Sequence, residues 1–246
     1  MKEKIYIVIL VFCLISCDRR CDCQEDLVRY EWSSSHLIDW YFSFGGFKKD
    51  VGELNQVRLK LMPSEIYPSQ ELFDEINRWK GKEGYPNSFK DPRNVEIFNE
   101  IAERNEDIGF SNYYPYEIDQ HKWTSTEFGY IIGSSNGALN KNITHIEITC
   151  DCDINDYPAG SSLRDISEVK LKSYSADLKG EDSGEEYLNV TKLASELTTT
   201  DLRVIGPYIH ITLKETPKDK LYNANVTITL TDEDNEKYVY KGKIIF

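Results

Sequence analysis

The chain has 246 residues, of which 40% are hydrophobic, so it is long and apolar enough to bury a core and is not expected to be disordered. Its 42 acidic residues outnumber its 29 basic residues and give a formal net charge of −13. A surface this acidic argues against nucleic acid as a partner and against direct adhesion to anionic lipid.

The N-terminus has the pattern of a bacterial export signal. Two lysines precede an apolar run at 5–15, which is too short to span a bilayer core that needs roughly 20 residues. The sequence "LISC" at 14–17 then resembles a lipobox, in which the cysteine is acylated and the peptide is cut before it. We therefore expect a signal peptide over 1–16 and lipidation at Cys17, with a plain signal peptide as the alternative.

This lipid would make the membrane a partner that the mature chain is tethered to and does not span. The expected location is the bacterial cell envelope, at the outer membrane. Residues 17–26 are polar and charged and predict a short tether, and one folded domain is expected over 27–246.

The first strands are expected around 35–44 and 54–63. In the second stretch Val57, Leu59 and Leu61 alternate with polar residues or methionine, which indicates one buried face and one mostly exposed face.

Residues 63–110 predict a helical insertion. Its first helix has Ser69 as a plausible N-cap, and its second opens with Asp91 as the cap and Pro92 at the first helical position. The apolar stripes are formed by Leu72, Phe73, Ile76 and Trp79, and by Val95, Phe98, Ile101 and Ala102.

Residues 111–140 are rich first in aromatic residues and then in glycine. Tyr113, Tyr114, Tyr116 and Trp123 lie among hydrogen-bonding side chains. Flat aromatic faces beside such groups suit a sugar or a protein surface. The four residues are therefore a candidate ligand platform, with packing in the core or at a sheet edge as the alternative.

From residue 144 onward the pattern is that of strands. In "THIEITCDCDI" the residues Ile146, Ile148, Cys150, Cys152 and Ile154 share one face, and four later stretches repeat this period of two. Residues 232–235 fit a hairpin turn between the last two strands, and a short helix is expected around 190–198.

Many short strands without βαβ alternation predict a mainly β fold, an immunoglobulin-like antiparallel β-sandwich with a small helical insertion. The alternative is a division into two domains near residue 140.

Four of the six cysteines lie in two Cys-Asp-Cys triplets, Cys21/Cys23 and Cys150/Cys152. In an extended chain the two Cα atoms of a triplet lie roughly 6.5–7 Å apart, at or beyond the usual limit for a disulfide. A bond between the triplets is unstrained, and an exported compartment permits it. The alternatives are free thiols in or near the core and a four-thiolate zinc site, although structural zinc sites usually space paired cysteines more widely.

None of the common catalytic signatures is present: the chain has no His-Glu-x-x-His, no Gly-x-Ser-x-Gly, no phosphate-binding loop and no dinucleotide fingerprint. We therefore predict no catalytic residue, no cofactor and no resident metal. The expected function is a binding or interaction module for a glycan or an envelope protein. The rival is a hydrolase of glycans or peptides that uses a pair of carboxylates, because the acidic residues supply many such pairs.

The lipobox, the early Cys-Asp-Cys and the stretch "ITHIEITCDCDINDYPAGSSLRDI" together resemble uncharacterised lipoproteins of Bacteroides and related gut bacteria. In these an "I-x-I-T-x-D-x-D" strand is followed by a "P-A-G-S-x-L" turn. The matching residues here are Ile146, Ile148, Thr149, Asp151, Asp153, Pro158, Ala159, Gly160, Ser161 and Leu163. The resemblance implies an envelope location, and it assigns no activity and no catalytic residue.

Overall fold

The computed structural model describes residues 29–30, 38–50, 54–78, 91–107, 116–117, 137–175, 178, 189–217 and 223–246. The predicted signal peptide and tether lie outside these residues. The strands are β1 (Arg29–Tyr30), β2 (Trp40–Asp50), β3 (Gln56–Pro68), β4 (Tyr116–Glu117), β5 (Gly137–Leu139), β6 (Ile143–Cys150), β7 (Ser167–Ser173), β8 (Asn189–Leu193), β9 (Ile205–Leu213), β10 (Asn223–Asp232) and β11 (Lys237–Ile245). The helices are α1 (Gln70–Arg78) and α2 (Arg93–Asn105), with a 3-10 turn at Arg164–Ile166.

Two sheets account for most of these strands. The larger has the order β5-β2-β3-β9-β7-β8 and the smaller has the order β11-β10-β6, while β1 and β4 form a short ladder of their own. Neighbouring strands are antiparallel except for β2 and β5. The predicted antiparallel β-sandwich is confirmed.

The strand order matches a constant-type immunoglobulin domain with additions. Such a domain has seven strands, with A-B-E-D in one sheet and C-F-G in the other. Here β2-β3-β9-β7 supplies the first order and β6-β10-β11 supplies the second, in the same chain order. Strand β5 extends the larger sheet beyond β2, and β8 extends it beyond β7. Strands from both sides of residue 140 thus share one sheet.

The core between the sheets follows the alternation expected from the sequence. Val57, Leu59 and Leu61 of β3 are buried, as are Ile146 and Ile148 of β6. Their side chains belong to one apolar cluster that fills the space between the sheets. The alternation of apolar and polar residues along each strand therefore determines which of its faces points inward.

Both helices lie in the connection between β3 and β6. Strand β3 continues to Pro68, so the helical part begins at Gln70, later than residue 63. The Ser69 hydroxyl accepts the Leu72 N–H at 3.2 Å, which is the N-cap expected from the sequence. The Asp91 carboxylate accepts the Arg93 N–H at 3.0 Å at the start of α2. None of the described helices has the length and apolarity that crossing a membrane requires.

Helix α2 packs on the face of the larger sheet that points away from the smaller one. Phe98 lies against Tyr41 with their ring centroids 5.3 Å apart, and both side chains are fully buried. The other buried members of this second cluster are Ile38, Tyr67, Ile101, Ala102, Ala138, Tyr174, Leu178 and Val204. The molecule therefore has three layers here: helix, larger sheet and smaller sheet.

The helix expected around 190–198 is wrong, because Asn189–Leu193 forms strand β8 and turns follow it. Strand β8 pairs with β7 along its whole length, from Lys172–Asn189 to Glu168–Leu193. Nine residues are too few for a helix to be stable by itself, so hydrogen bonding to an open sheet edge decides the local structure.

Candidate binding surface

Four aromatic side chains lie together where β2 meets β11, and we call Phe44, Phe47, Tyr238 and Tyr240 the aromatic seam. The ring centroids are 4.8 Å apart for Phe44–Phe47, 4.4 Å for Phe44–Tyr238 and 5.9 Å for Phe47–Tyr240. All four side chains are half-buried and pack against the core between the sheets. The seam is thus one of the places where solvent reaches that core.

A bulge in β2 produces the seam. Residues 44 and 47 would point to opposite faces in a regular strand, but the register of β2 against β3 shifts on both sides of Phe44. The shift places both phenylalanine rings on the core side. At Gly45 the strands lie so close that a Cβ atom would be 2.7 Å from the Ser64 nitrogen, so only glycine fits there.

On β11 the two tyrosines are two residues apart and therefore share a face. The Tyr240 ring lies across Gly242, where any Cβ atom would collide with the tyrosine hydroxyl. Burial raises the pKa of Tyr240. Because Gly242 has no side chain, the Tyr240 ring can lie flat against its own strand.

One end of the seam is acidic. The Tyr238 hydroxyl donates to Asp232 Oδ2 at 2.7 Å, and Asp232 Oδ1 accepts the N–H groups of Asp234 at 2.9 Å and Glu236 at 2.8 Å. Lys141 Nζ lies 3.5 Å from the Asp232 carboxylate and 3.1 Å from those of Asp234 and Glu236. These contacts close the β10–β11 turn and leave the outer carboxylates exposed.

The Asp232 side chain is fully buried within this turn. Burial raises the pKa of its carboxyl, but the hydrogen bonds from Tyr238, Glu236 and Asp234 outweigh burial and leave the pKa below its ordinary value. Burial, followed by the bond to Asp232, raises the pKa of Tyr238. Asp232 therefore stays ionised and Tyr238 stays neutral around neutral pH.

The other end of the seam is basic. Near the end of β2, Lys49 is two residues from Phe47 and shares its face, whereas Lys48 and the β11 residues Lys241 and Lys243 alternate with the seam residues and point to the opposite faces. All four side chains are exposed. Lys49 Nζ donates to the Lys243 carbonyl at 2.7 Å, which fixes the ends of the two strands beside each other. A ligand on the seam would meet aromatic rings with acidic side chains at one end and Lys49 at the other.

The second Cys-Asp-Cys triplet has a geometry that the alternation does not predict. Strand β6 ends at Cys150, and the chain bends at Asp151 and Cys152. The two sulfur atoms lie 3.3 Å apart, and both cysteines are free. The expectation that the triplet continues as an extended strand to Ile154 is therefore wrong, because the Asp151 N–H bonds Asn225 and the chain turns.

This triplet is also where the described residues could hold a metal ion. One ligand atom each from Cys150, Asp151 and Cys152 lies within 4.8 Å of the others. However, the Asp151 carboxylate accepts the Asn225 N–H at 2.8 Å and a bond from its side-chain amide. Burial and the bond to Cys150 raise the pKa of Cys152 to about 12, which opposes the thiolate form that a metal needs.

The other predicted site residues lie elsewhere in the chain. Cys17, Cys21, Cys23, Tyr113, Tyr114 and Trp123 fall outside the described residues, and Tyr116 is described only as the backbone partner of Tyr30 in the β1–β4 ladder. Lipidation, a disulfide between the triplets and the tyrosine-rich ligand platform therefore stay predictions. The sequence signal for the aromatic seam was the dense aromatic pattern in "WYFSFGGF" and "KYVYKG".

No family model, no curated protein and no solved structure matches this chain.

Proposed function

We propose that this protein is a lipid-anchored binding module of the bacterial cell envelope and that the aromatic seam is its ligand-contacting surface. The lipobox-like sequence at 14–17 supports the anchor. The observation that carries the binding role is the set of four half-exposed rings with charged groups at both ends.

A glycan is the ligand class that this surface fits best. The faces of aromatic rings pack on the C–H faces of a sugar, and the outer carboxylates and Lys49 can bond its hydroxyl groups. Asp234 and Glu236 are exposed at one end of the seam and Lys49 at the other. An envelope protein is the other ligand class that such a surface could contact.

Among the described residues, the carboxyl groups with a shifted pKa do not have the shift that a general acid needs. A general acid needs a carboxyl group whose pKa is raised. Several described carboxyl groups have the opposite shift, since hydrogen bonds from neighbours hold the pKa below its ordinary value. They are Asp91, Glu147, Asp151, Asp201 and Asp232.

The binding role is tested with full-length protein in detergent on a glycan array, followed by titration of the best ligand. We expect Tyr240→Ala to weaken binding by about tenfold, which corresponds to the loss of roughly 1.4 kcal/mol of aromatic contact. The matched control is Tyr208→Ala, because Tyr208 is an exposed tyrosine on β9 of the other sheet. Equal losses in both variants, or no glycan bound at all, would remove the seam as a glycan site.

A panel of glycosidase and peptidase substrates tests the rival function. Turnover that a single carboxylate substitution abolishes would overturn the binding role. The anchor is tested separately by metabolic labelling with a fatty-acid probe, which should mark the wild-type protein and leave Cys17→Ser unmarked.

A further inference from the structure

The bend after β6 brings two thiols together at the surface end of the core. The Cys150 and Cys152 sulfur atoms are 3.3 Å apart, whereas a disulfide has an S–S distance of about 2.05 Å. Closing this gap needs a movement of about 1.2 Å, which small side-chain rotations can supply. The extended geometry that disfavours a bond within a triplet is absent here.

Backbone contacts hold this bend in place. The Gly160 N–H donates to the Cys150 carbonyl at 2.7 Å, and the Asp151 N–H donates to the Asn225 carbonyl at 3.1 Å. Further along, the Ala159 N–H donates to Asp153 Oδ1 at 2.7 Å. The sulfur atoms therefore meet because the surrounding turn is fixed, and no ligand is needed to bring them together.

We propose that Cys150 and Cys152 are a dithiol that closes reversibly to a disulfide within the triplet. Its oxidant is another disulfide, either a small molecule such as oxidised glutathione or a protein. This inference depends on the bend and the two sulfur atoms and is independent of the glycan site.

The two cysteines have different exposure, which orders the reaction. Cys150 is buried with 3% exposure, while Cys152 is half-buried. The Cys152 thiolate attacks one sulfur of the oxidant, forms a mixed disulfide and releases the first thiolate, which takes up a proton. Cys150 then loses its proton and attacks the Cys152 sulfur, and the second thiolate leaves. Two cysteines are oxidised, and one oxidant disulfide is reduced to two thiols.

Two properties determine how fast such a bond forms and how easily it is reduced. Burial and the contact with Cys150 raise the pKa of Cys152 to about 12, so the thiolate is scarce at neutral pH and exchange accelerates as the pH rises. A bridge between residues only two apart is also strained, and strained disulfides are more easily reduced. The pair would therefore record the redox state of its surroundings and add little stability of its own.

Peptide mapping tests this directly on the full-length chain. The reduced protein is incubated with oxidised glutathione, quenched with acid, alkylated and digested with trypsin. Residues 142–164 form one tryptic peptide that holds both cysteines, because the cleavage sites are Lys141 and Arg164. We expect this peptide unalkylated, unlinked and lighter by two hydrogen atoms, with both thiols restored by dithiothreitol.

Two variants sharpen the result. The double variant Cys21→Ser/Cys23→Ser should form the bond as the wild type does, and Cys152→Ser should not. The initial rate should rise about tenfold per pH unit between pH 7 and 9, as expected well below the pKa of the attacking thiol. Linkage of peptide 142–164 to peptide 21–29, or two alkylated cysteines after oxidation, would overturn the proposal.

Discussion

The two faces of the six-stranded sheet are covered in different ways. The inner face packs on the three-stranded sheet through a large apolar cluster, with few buried polar residues such as Ser167 beside it. The outer face packs on α2 through a smaller cluster, and buried polar residues stand beside it, Asn105 with no exposure and Asp107 with 2%. The inner face therefore provides most of the burial that stabilises the fold, whereas the outer face attaches an insertion to it.

Polar contacts at the end of α2 fix how this helix is oriented on the outer face of the sheet. Asn105 accepts a bond from Arg203 through its carbonyl at 2.9 Å and one from Asn142 through its side-chain oxygen at 3.4 Å. Asn142 in turn accepts the Val204 N–H at 3.0 Å. Buried polar groups are costly unless they are paired, so this network allows α2 essentially one position on the sheet.

The largest effect should come from the inner face. Phe42 is fully buried between the sheets, and Phe42→Ala should lower the free energy of unfolding by about 3–5 kcal/mol through lost burial and a cavity. Urea denaturation followed by tryptophan fluorescence measures this. A loss below about 1 kcal/mol would show that the inner core is less closely packed than its burial indicates.

The matched change on the outer face is Phe98→Ala, since Phe98 is a fully buried phenylalanine of α2. We expect a smaller loss of unfolding free energy, about 2–3 kcal/mol and below the usual range, because the outer cluster around Phe98 is smaller than the inner one. Hydrogen exchange should show faster opening of α2 than of β3. Equal exchange in the two elements would mean that the two faces unfold as one unit, which would remove the distinction between them.

A buried charge gives a third comparison, now with pH. Asp232→Asn should lower the free energy of unfolding by about 1–3 kcal/mol near pH 7, because the hydrogen bonds at the β10–β11 turn favour the charged carboxylate. The folded pKa lies below the ordinary value, so this contribution is present above about pH 4 and is lost as the pH falls further. Thermal melts of both proteins from pH 7 to pH 2.5 should therefore converge at the acid end.

The control for this charge is Asp234→Asn on the same turn, where the side chain is 63% exposed. The free energy of unfolding of Asp234→Asn should stay within about 0.5 kcal/mol of the wild type at every pH. A cost as large as that of Asp232→Asn would assign the effect to net charge and not to the buried bonds.

The smallest effect is expected at the end of α2. Glu106 has a φ of 62°, in the left-handed region, and Asp107 and Glu106 close the helix by donating to Ala102 and Glu103. Glu106→Gly should raise the free energy of unfolding by about 1 kcal/mol by removing this strain. Chemical denaturation measures it, and a destabilised variant would mean that the 3.8 Å contact between Arg203 and Glu106 matters more than the strain.

The strands with a clear period were predictable from sequence. Val57, Leu59 and Leu61 gave one face of β3, and Ile146 and Ile148 gave one face of β6, because side chains alternate along any strand. The cap at Ser69 was also predictable, since short polar side chains satisfy the first free N–H groups of a helix. Helix α2 begins one residue later than predicted, with Pro92 as its N-cap, while the Asp91 carboxylate still accepts the Arg93 N–H.

The features that sequence could not supply depend on distant contacts. The contact of Phe47 with Tyr240 requires β2 and β11 to lie against each other, although the two strands are near opposite ends of the domain sequence. The bulge at Phe44 depends on pairing with β3. The bend at Cys152 follows from a bond to Asn225. In each case a residue far along the chain overrides the local pattern.

Strand β5 has a consequence for the order of folding. Its three residues pair in parallel with β2, although roughly a hundred residues separate Leu139 from its partner Phe42, and such long-range pairs form slowly. Until they form, the side of β2 that receives β5 is an open sheet edge, which is the kind of surface on which chains aggregate. A newly made chain would therefore be most vulnerable between formation of the sandwich and the arrival of this short strand.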